Sequence, residues 1–353
     1  MMKHVDPNSL EAGPAPDTVK TINLALQGGG AHGAFAWGVL DRLLEEDGLA
    51  FEGISATSAG AMNAAVLAYG MTLGGRAGAQ QALRDFWCRV SHAAIFSPWQ
   101  PSPWDRLMNH HGLENSPAFL LIDMLTRVMS PYQWNPANIN PLRQVIESIV
   151  DFERLRRDSA LKLFLSATNV RTCKVRVFGS EEVTADAVLA SACLPFMFQA
   201  IEIDGEHYWD GGYMGNPAIF PLIYGCESQD VVIVHINPIN RPDVPRTATD
   251  IMNRINEISF NSSLMREMRA IDFVSKLIDD GKLRDTGMKR MRIHAIDAED
   301  VMQGLGAASK LNADWEFLLH LHDIGRRRTE AWLARNLGEV GHKSTVDVHG
   351  RYV

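Results

Sequence analysis

Within its first seventy-odd residues the chain twice runs a short apolar strand into a turn of very small residues and then into a helix. The first pass is TINLAL (21–26), a glycine-rich turn, and AFAWGVLDRLLEE (34–46), where Phe35, Val39, Leu40, Leu43 and Leu44 recur at helical spacing. The second is FEGIS (51–55), a short turn, and AGAMNAAVLAYGM (59–71), a helix of small residues suited to tight packing on a sheet. KLFLSAT (162–168), KVRVF (174–178), DVVIVHI (230–236) and MRIHAID (291–297) read as further strands. Val231–Val234 has no polar alternation, which fits a parallel strand covered on both faces. Strands alternating with helices predict an α/β fold with a mostly parallel sheet and helices on both sides.

Three regions fall outside that rhythm. Residues 1–19, with Pro7, Pro14 and Pro16, read as a flexible lead-in. Residues 88–137 carry Trp99, Trp104, Trp134 and the helical AFLLIDMLTRVM (118–129), and read as an inserted cap whose apolar face suits an acyl chain as well as a core. Residues 241–353 read as a mainly helical extension packed on a catalytic domain at 20–240. A net charge of −8 gives no basic track for nucleic acid, so none is expected as a partner. The N-terminus lacks an apolar signal segment, and no apolar run approaches the roughly 18–20 residues of a membrane span. Cys88, Cys173, Cys193 and Cys226 are scattered, without a C-x-x-C pair, and read as buried thiols in a reducing compartment. A cytoplasmic protein is the expectation.

The first turn holds Gly28, Gly30 and Gly33, the G-x-G-x-x-G spacing of a dinucleotide cradle. That chemistry wants an acidic residue about 20 positions on, at the end of the second strand. Glu45, Glu46 and Asp47 instead end the helix, and the second strand delivers the serine turn ATSAG (56–60). A serine between strand and helix, flanked by small residues, is the setting of a nucleophile elbow, although a helix N-cap would look the same. Such a serine needs a base. Asp210 precedes Gly211 and Gly212, and in an extended EHYWD it shares a face with Tyr208 while His207 points the other way. That favours direct Ser58–Asp210 chemistry over a triad through His207. The Gly28, Gly29 and Gly30 turn, with the Ala59 N–H after the serine, would then offer backbone donors to an oxyanion.

These elements, GGGAHG (28–33), ATSAG (56–60) and DGG (210–212), in that order and with the block ASACLPFMFQAIEIDGEHYWDGGYMGNP (190–217), resemble the patatin-like phospholipase family over roughly residues 20–240. The resemblance implies a three-layer α/β/α fold and a Ser58–Asp210 dyad that hydrolyses acyl esters through an acyl-enzyme. It departs from the family pattern at Ala56, where a glycine is usual, and at His32, where Arg or Lys is usual; His32 reads as a structural histidine or as a modulator of the oxyanion site. The substrate implied is a phospholipid or neutral-lipid ester met at an interface, with a soluble acyl ester or a hydroxyacid polyester as the alternative. A catalytically idle lipid-binding protein and a nicotinamide-dependent oxidoreductase using the Gly28–Gly33 turn are the readings from other classes. No cofactor or metal is required, while contact with a membrane or lipid surface and a homo-oligomer remain open. His320, His322 and Asp323 are poorly spaced to share an ion on a helix. His110 and His111 read as exposed loop, and Arg326–Arg328 as a solvated helix face.

Overall fold

The computed structural model describes residues 19–94, 124–126, 128–283 and 287–353. Most of the lead-in and most of the expected cap, with Trp99, Trp104, His110, His111 and the first half of the expected 118–129 helix, lie outside these residues. Eight strands form one sheet: β1 (Lys20–Leu26), β2 (Leu49–Ala56), β3 (Lys162–Asn169), β4 (Val175–Gly179), β5 (Ile201–Ile203), β6 (Glu206–Asp210), β7 (Asp230–Val234) and β8 (Arg292–Ile296). Their order is β5-β6-β3-β2-β1-β7-β8, with β4 also paired to β3. The run β3-β2-β1-β7-β8 is parallel throughout, whereas β4, β5 and β6 are antiparallel to their neighbours. KVRVF is therefore a strand, but one that turns back on β3.

The helices are α1 (Gly33–Leu43), α2 (Ala59–Ala94), α3 (Pro131–Trp134), α4 (Pro141–Ile149), α5 (Phe152–Asp158), α6 (Ala185–Ser191), α7 (Phe220–Gly225), α8 (Ala248–Asp279), α9 (Glu299–Met302), α10 (Trp315–Asn336) and α11 (Val348–Tyr352). Alternation along the central strands sorts the core into two slabs. Leu24, Leu26, Val232 and Val234 face one slab with α1, α2, α6 and α10. Ala25, Val231 and Ile233 face the other with α7, α8 and α11. The result is the three-layer α/β/α arrangement, and each fully buried aliphatic side chain contributes about 1.5–3 kcal/mol to it.

Two boundaries differ from the sequence reading. Helix α2 does not stop at residue 71; it breaks at Gly74 and Gly75, whose backbone is non-helical, and resumes to Ala94. Residues 88–94 are thus the end of that helix and not the start of a cap, and Phe86 and Trp87 are buried in the first slab. The region after 241 does more than pack on a finished domain. It supplies β8, which pairs along all of β7, and α10, which crosses α1 in backbone contact where Gly325 meets Gly38.

Candidate active site

Strand β2 pairs with β3 as far as Ala56 opposite Leu165. Two residues further along β3, Ala167 lies opposite Asp210, the last residue of β6. Because β4 occupies the other edge of β3, β6 fills the edge that β2 vacates as it turns into the elbow. This register brings Ser58 and Asp210 together. Ser58 has φ 56°, the left-handed region that costs a non-glycine residue about 1–2 kcal/mol. Its N–H donates to Ser191 Oγ at 2.9 Å, Thr57 Oγ1 donates to the Gly215 carbonyl at 2.6 Å, and Gly60 N–H closes onto the Thr57 carbonyl at 2.9 Å. These bonds offset the strain. Ala56 is an ordinary buried strand residue, so its methyl sits outside the strained position.

The glycine turn packs directly on the elbow. A Cβ at Gly28 would stand 2.5 Å from Ser58 Cβ, so only glycine lets the two turns meet. Gly30 has φ +58° and rests against the Lys310 carbonyl. The Gly28 N–H donates to Asn216 Oδ1 at 2.7 Å, which corrects its expected role: that donor is committed and cannot serve an oxyanion. The N–H groups of Gly29, Gly30 and Ala59 have no acceptor among the described residues, and Ala59 opens α2, where the helix dipole adds positive potential. A buried amide network holds this turn. Gln27 Oε1 accepts from the Ile236 and Asn237 N–H groups at 2.8 and 3.0 Å, its Nε2 donates to Asn261 Oδ1, and Asn237 Nδ2 donates to the Gly28 carbonyl at 2.8 Å.

Asp210 is fully buried. Its Oδ1 accepts the Gly212 N–H at 2.7 Å, while Oδ2 is buried without a geometrically closed hydrogen bond. The Ser58 hydroxyl is near enough to stabilise the carboxylate, but the contact falls short of full hydrogen-bond geometry. Burial pushes the Asp210 carboxyl up to about 6, against the opposing pull of the Gly212 N–H, the Ser58 hydroxyl and the Lys310 charge. His32 is buried and pushed down to about 3, first by burial and then by Lys310, so it is neutral. Ser309 Oγ donates to the Gly306 carbonyl at 2.7 Å, so His32 Nε2–H must be the donor in its 2.8 Å contact with Ser309.

The remaining candidates disperse. Tyr208 and Asp210 share the buried face as alternation predicts, and His207 lies on the other, 3.8 Å from Glu202. His322 contacts Asp41 at 3.2 Å and Asp323 at 3.3 Å, and no three metal-ligating side chains come together among the described residues. Arg326 does not merely solvate a helix; it binds Asp41 of α1 and Glu45 just beyond it. Cys193 and Cys226 are buried as expected, but Cys173 is exposed and Cys88 intermediate. Residues the sequence reading did not single out are Ser191, Asn216, Asn237 and Lys310. The two Asn-Pro steps at 216–217 and 237–238, each a few residues past a strand end, were the available signal for the amides.

Sequence comparison with curated proteins finds no match. Among solved structures, VipD from Legionella pneumophila is similar at 16% identity and TM-score 0.35, covering 88% of this chain and 67% of that one. ExoU–SpcU, a heterodimeric complex of the type III secretion system of Pseudomonas aeruginosa, is similar at 16% identity and TM-score 0.38, covering 91% of this chain and 52% of that one. The chain thus spans between half and two thirds of the length of these structures. The family model described as patatin-like phospholipase matches residues 24–223, more than half of the chain and the whole stretch from the glycine turn to Asp-Gly-Gly. The protein belongs to the patatin-like phospholipase family and is, with it, a hydrolase of lipid acyl esters.

Proposed function

We propose that the protein cleaves acyl esters of membrane phospholipids, with Ser58 as nucleophile and Asp210 as its base. The observation that carries this reading is the buried, unpartnered Oδ2 of Asp210 beside a serine held in strained left-handed geometry. A carboxyl near 6 is ionised at neutral pH yet basic enough to take a proton. Asp210 Oδ2 accepts the Ser58 proton as Oγ bonds to the ester carbonyl carbon. The carbonyl oxygen becomes an oxyanion, stabilised by the N–H groups of Gly29, Gly30 and Ala59. Collapse breaks the ester C–O bond, and the proton on Asp210 passes to the departing alcohol. A water molecule, deprotonated by Asp210, then attacks the acyl-enzyme; the fatty acid leaves and the proton returns to Ser58.

Approach at a lipid surface is supported by α8. Its inner face carries Asn256, Phe260 and Asn261 toward the site, while Ile251, Ile255 and Ile258 stand 42%, 55% and 54% exposed at helical spacing. The four cysteines are unpaired, as a reducing cytoplasm would leave them. The test is fatty-acid release from phosphatidylcholine vesicles by the wild type and by Ser58→Ala. Release lost at least about a thousandfold in the variant is expected. Turnover of p-nitrophenyl butyrate with none from vesicles would move the substrate to soluble esters. Retained release in Ser58→Ala would remove Ser58 from the reaction.

A further inference from the structure

Three cationic side chains of the C-terminal half approach this site, and two of them are neutralised. Arg241 and Arg254 both bind Glu257. Lys310 is different: Nζ donates to Asn237 Oδ1 at 2.9 Å and to Asn256 Oδ1 at 3.0 Å, two neutral amide oxygens, and lies 5.4 Å from the Phe260 ring. No carboxylate pairs with it directly among the described residues. His32 is neutral, which leaves Lys310 as the cation beside the glycine turn.

Lys310 reaches the site by two routes. Asn237, which accepts from Lys310, donates through its other amide atom to the Gly28 carbonyl, and the Lys310 carbonyl itself backs Gly30. Phe260, under the ammonium group, packs on Gly212, whose N–H holds Asp210. We propose that Lys310 is a positioning residue of the esterase site, fixing the glycine turn through Asn237 and supplying the positive charge that Asp210 feels. The proposal rests on the Ser58–Asp210 reading, and it extends the site beyond the family-matched residues 24–223.

The groups facing Lys310 are Glu257 and Asp210, which favour its charge, Arg241, which opposes it, and neutral His32. Although the residue is partly exposed where it lines a shallow pocket, burial of the ammonium pulls it down to about 8. Its charge is present below that pH and lost as pH rises through it.

The experiment follows kcat and KM for p-nitrophenyl butyrate, and the rate of fluorophosphonate attachment to Ser58, from pH 5 to 10. Wild type should lose rate above about pH 8. Lys310→Met should lower kcat by about tenfold to a hundredfold, keep KM within about twofold, lack the basic limb, and move the acid limb upward because Asp210 loses a favourable neighbour. Lys310→Arg should restore the acid limb and remove the fall above pH 8. A purely structural lysine would lower the melting temperature and leave both limbs in place, and that result overturns the proposal. Should Lys310→Met fail to fold, the wild-type profile still decides, since activity constant from pH 7 to 10 is incompatible with it. A wild type that never labels at Ser58 sinks the dyad itself, a distinguishable outcome.

Discussion

Asp210→Asn should make the protein inactive and more stable at once. In the folded chain the carboxyl sits near 6, against an ordinary value of 3.8. Between pH 4 and 6 the folded state therefore holds a proton that the unfolded chain has released, so ionisation of Asp210 lowers stability as pH rises through that window. The cost is complete above it. About two units at 1.36 kcal/mol each amount to about 3 kcal/mol at pH 8. Asparagine keeps an oxygen for the Gly212 N–H and carries no charge, so it escapes that cost. With an unfolding entropy of about 0.7 kcal/mol/K for a chain this long, the gain is about 4 °C in Tm. Urea and thermal unfolding of both proteins at pH 8 and at pH 4 read this out, beside an esterase assay in which the variant loses at least about a thousandfold. The stability gap should close at pH 4, where both side chains are neutral. Equal stability at pH 8, or a gap that persists unchanged at pH 4, would refute the claim that the fold penalises this carboxylate.

Three more outcomes follow from the same geometry. Ser58→Gly and Ser58→Ala should both be inactive, but the glycine variant should be more stable by about 1 kcal/mol because it relieves φ 56°; equal urea midpoints would count against stored strain at the elbow. His32 and His235 are both held down near 3 by burial, so the unfolded chain gains two protons that the folded chain refuses as pH falls below 6.5. Set against the one proton Asp210 favours, these groups predict stability falling by about 1.4 kcal/mol per unit from pH 6 to 4. His32→Gln should flatten that slope, and an unchanged slope would contradict the neutral state of His32. Asp230, at the opposite end of the sheet from Ser58, binds Arg292 at 2.8 Å, His294 at 3.0 Å and the Gly341 N–H at 2.9 Å. Asp230→Ala should cost about 3–5 kcal/mol by stranding buried partners, yet leave kcat of the folded fraction unaltered; a lowered kcat would mean the two ends of the sheet are coupled.

What was legible in the sequence was local. The glycine turn, the serine elbow and Asp210-Gly211-Gly212 each encode a backbone requirement within a few residues, and periodicity located most strands to within one or two positions. Position 58 could be read as an elbow because its neighbours are small, while its φ could not. What stayed hidden depends on register and distance. That β6 takes over the edge of β3 where β2 leaves it is a pairing choice that links Asp210 to Ala167 and both to a serine turn far earlier in the chain, and KVRVF carries no mark of its antiparallel direction. The commitment of the Gly28 N–H to Asn216, and the bonds of Lys310 to Asn237 and Asn256, join residues far apart in the chain. His32 was readable as a neutral or a pH-sensitive group, and the choice between them follows from burial and from a lysine 278 positions away. The helix read over 59–71 does break at Gly74 and Gly75, but it resumes beyond them, where Phe86 and Trp87 pack into the core.

The most direct test of the central claim is to treat the purified protein with a fluorophosphonate and map the adduct by mass spectrometry, with Asp210→Asn alongside. A single phosphonyl group on Ser58, lost or slowed at least about a thousandfold in Asp210→Asn, is the predicted result. An adduct on another residue, or one on Ser58 that forms as fast without the Asp210 carboxylate, would contradict the account.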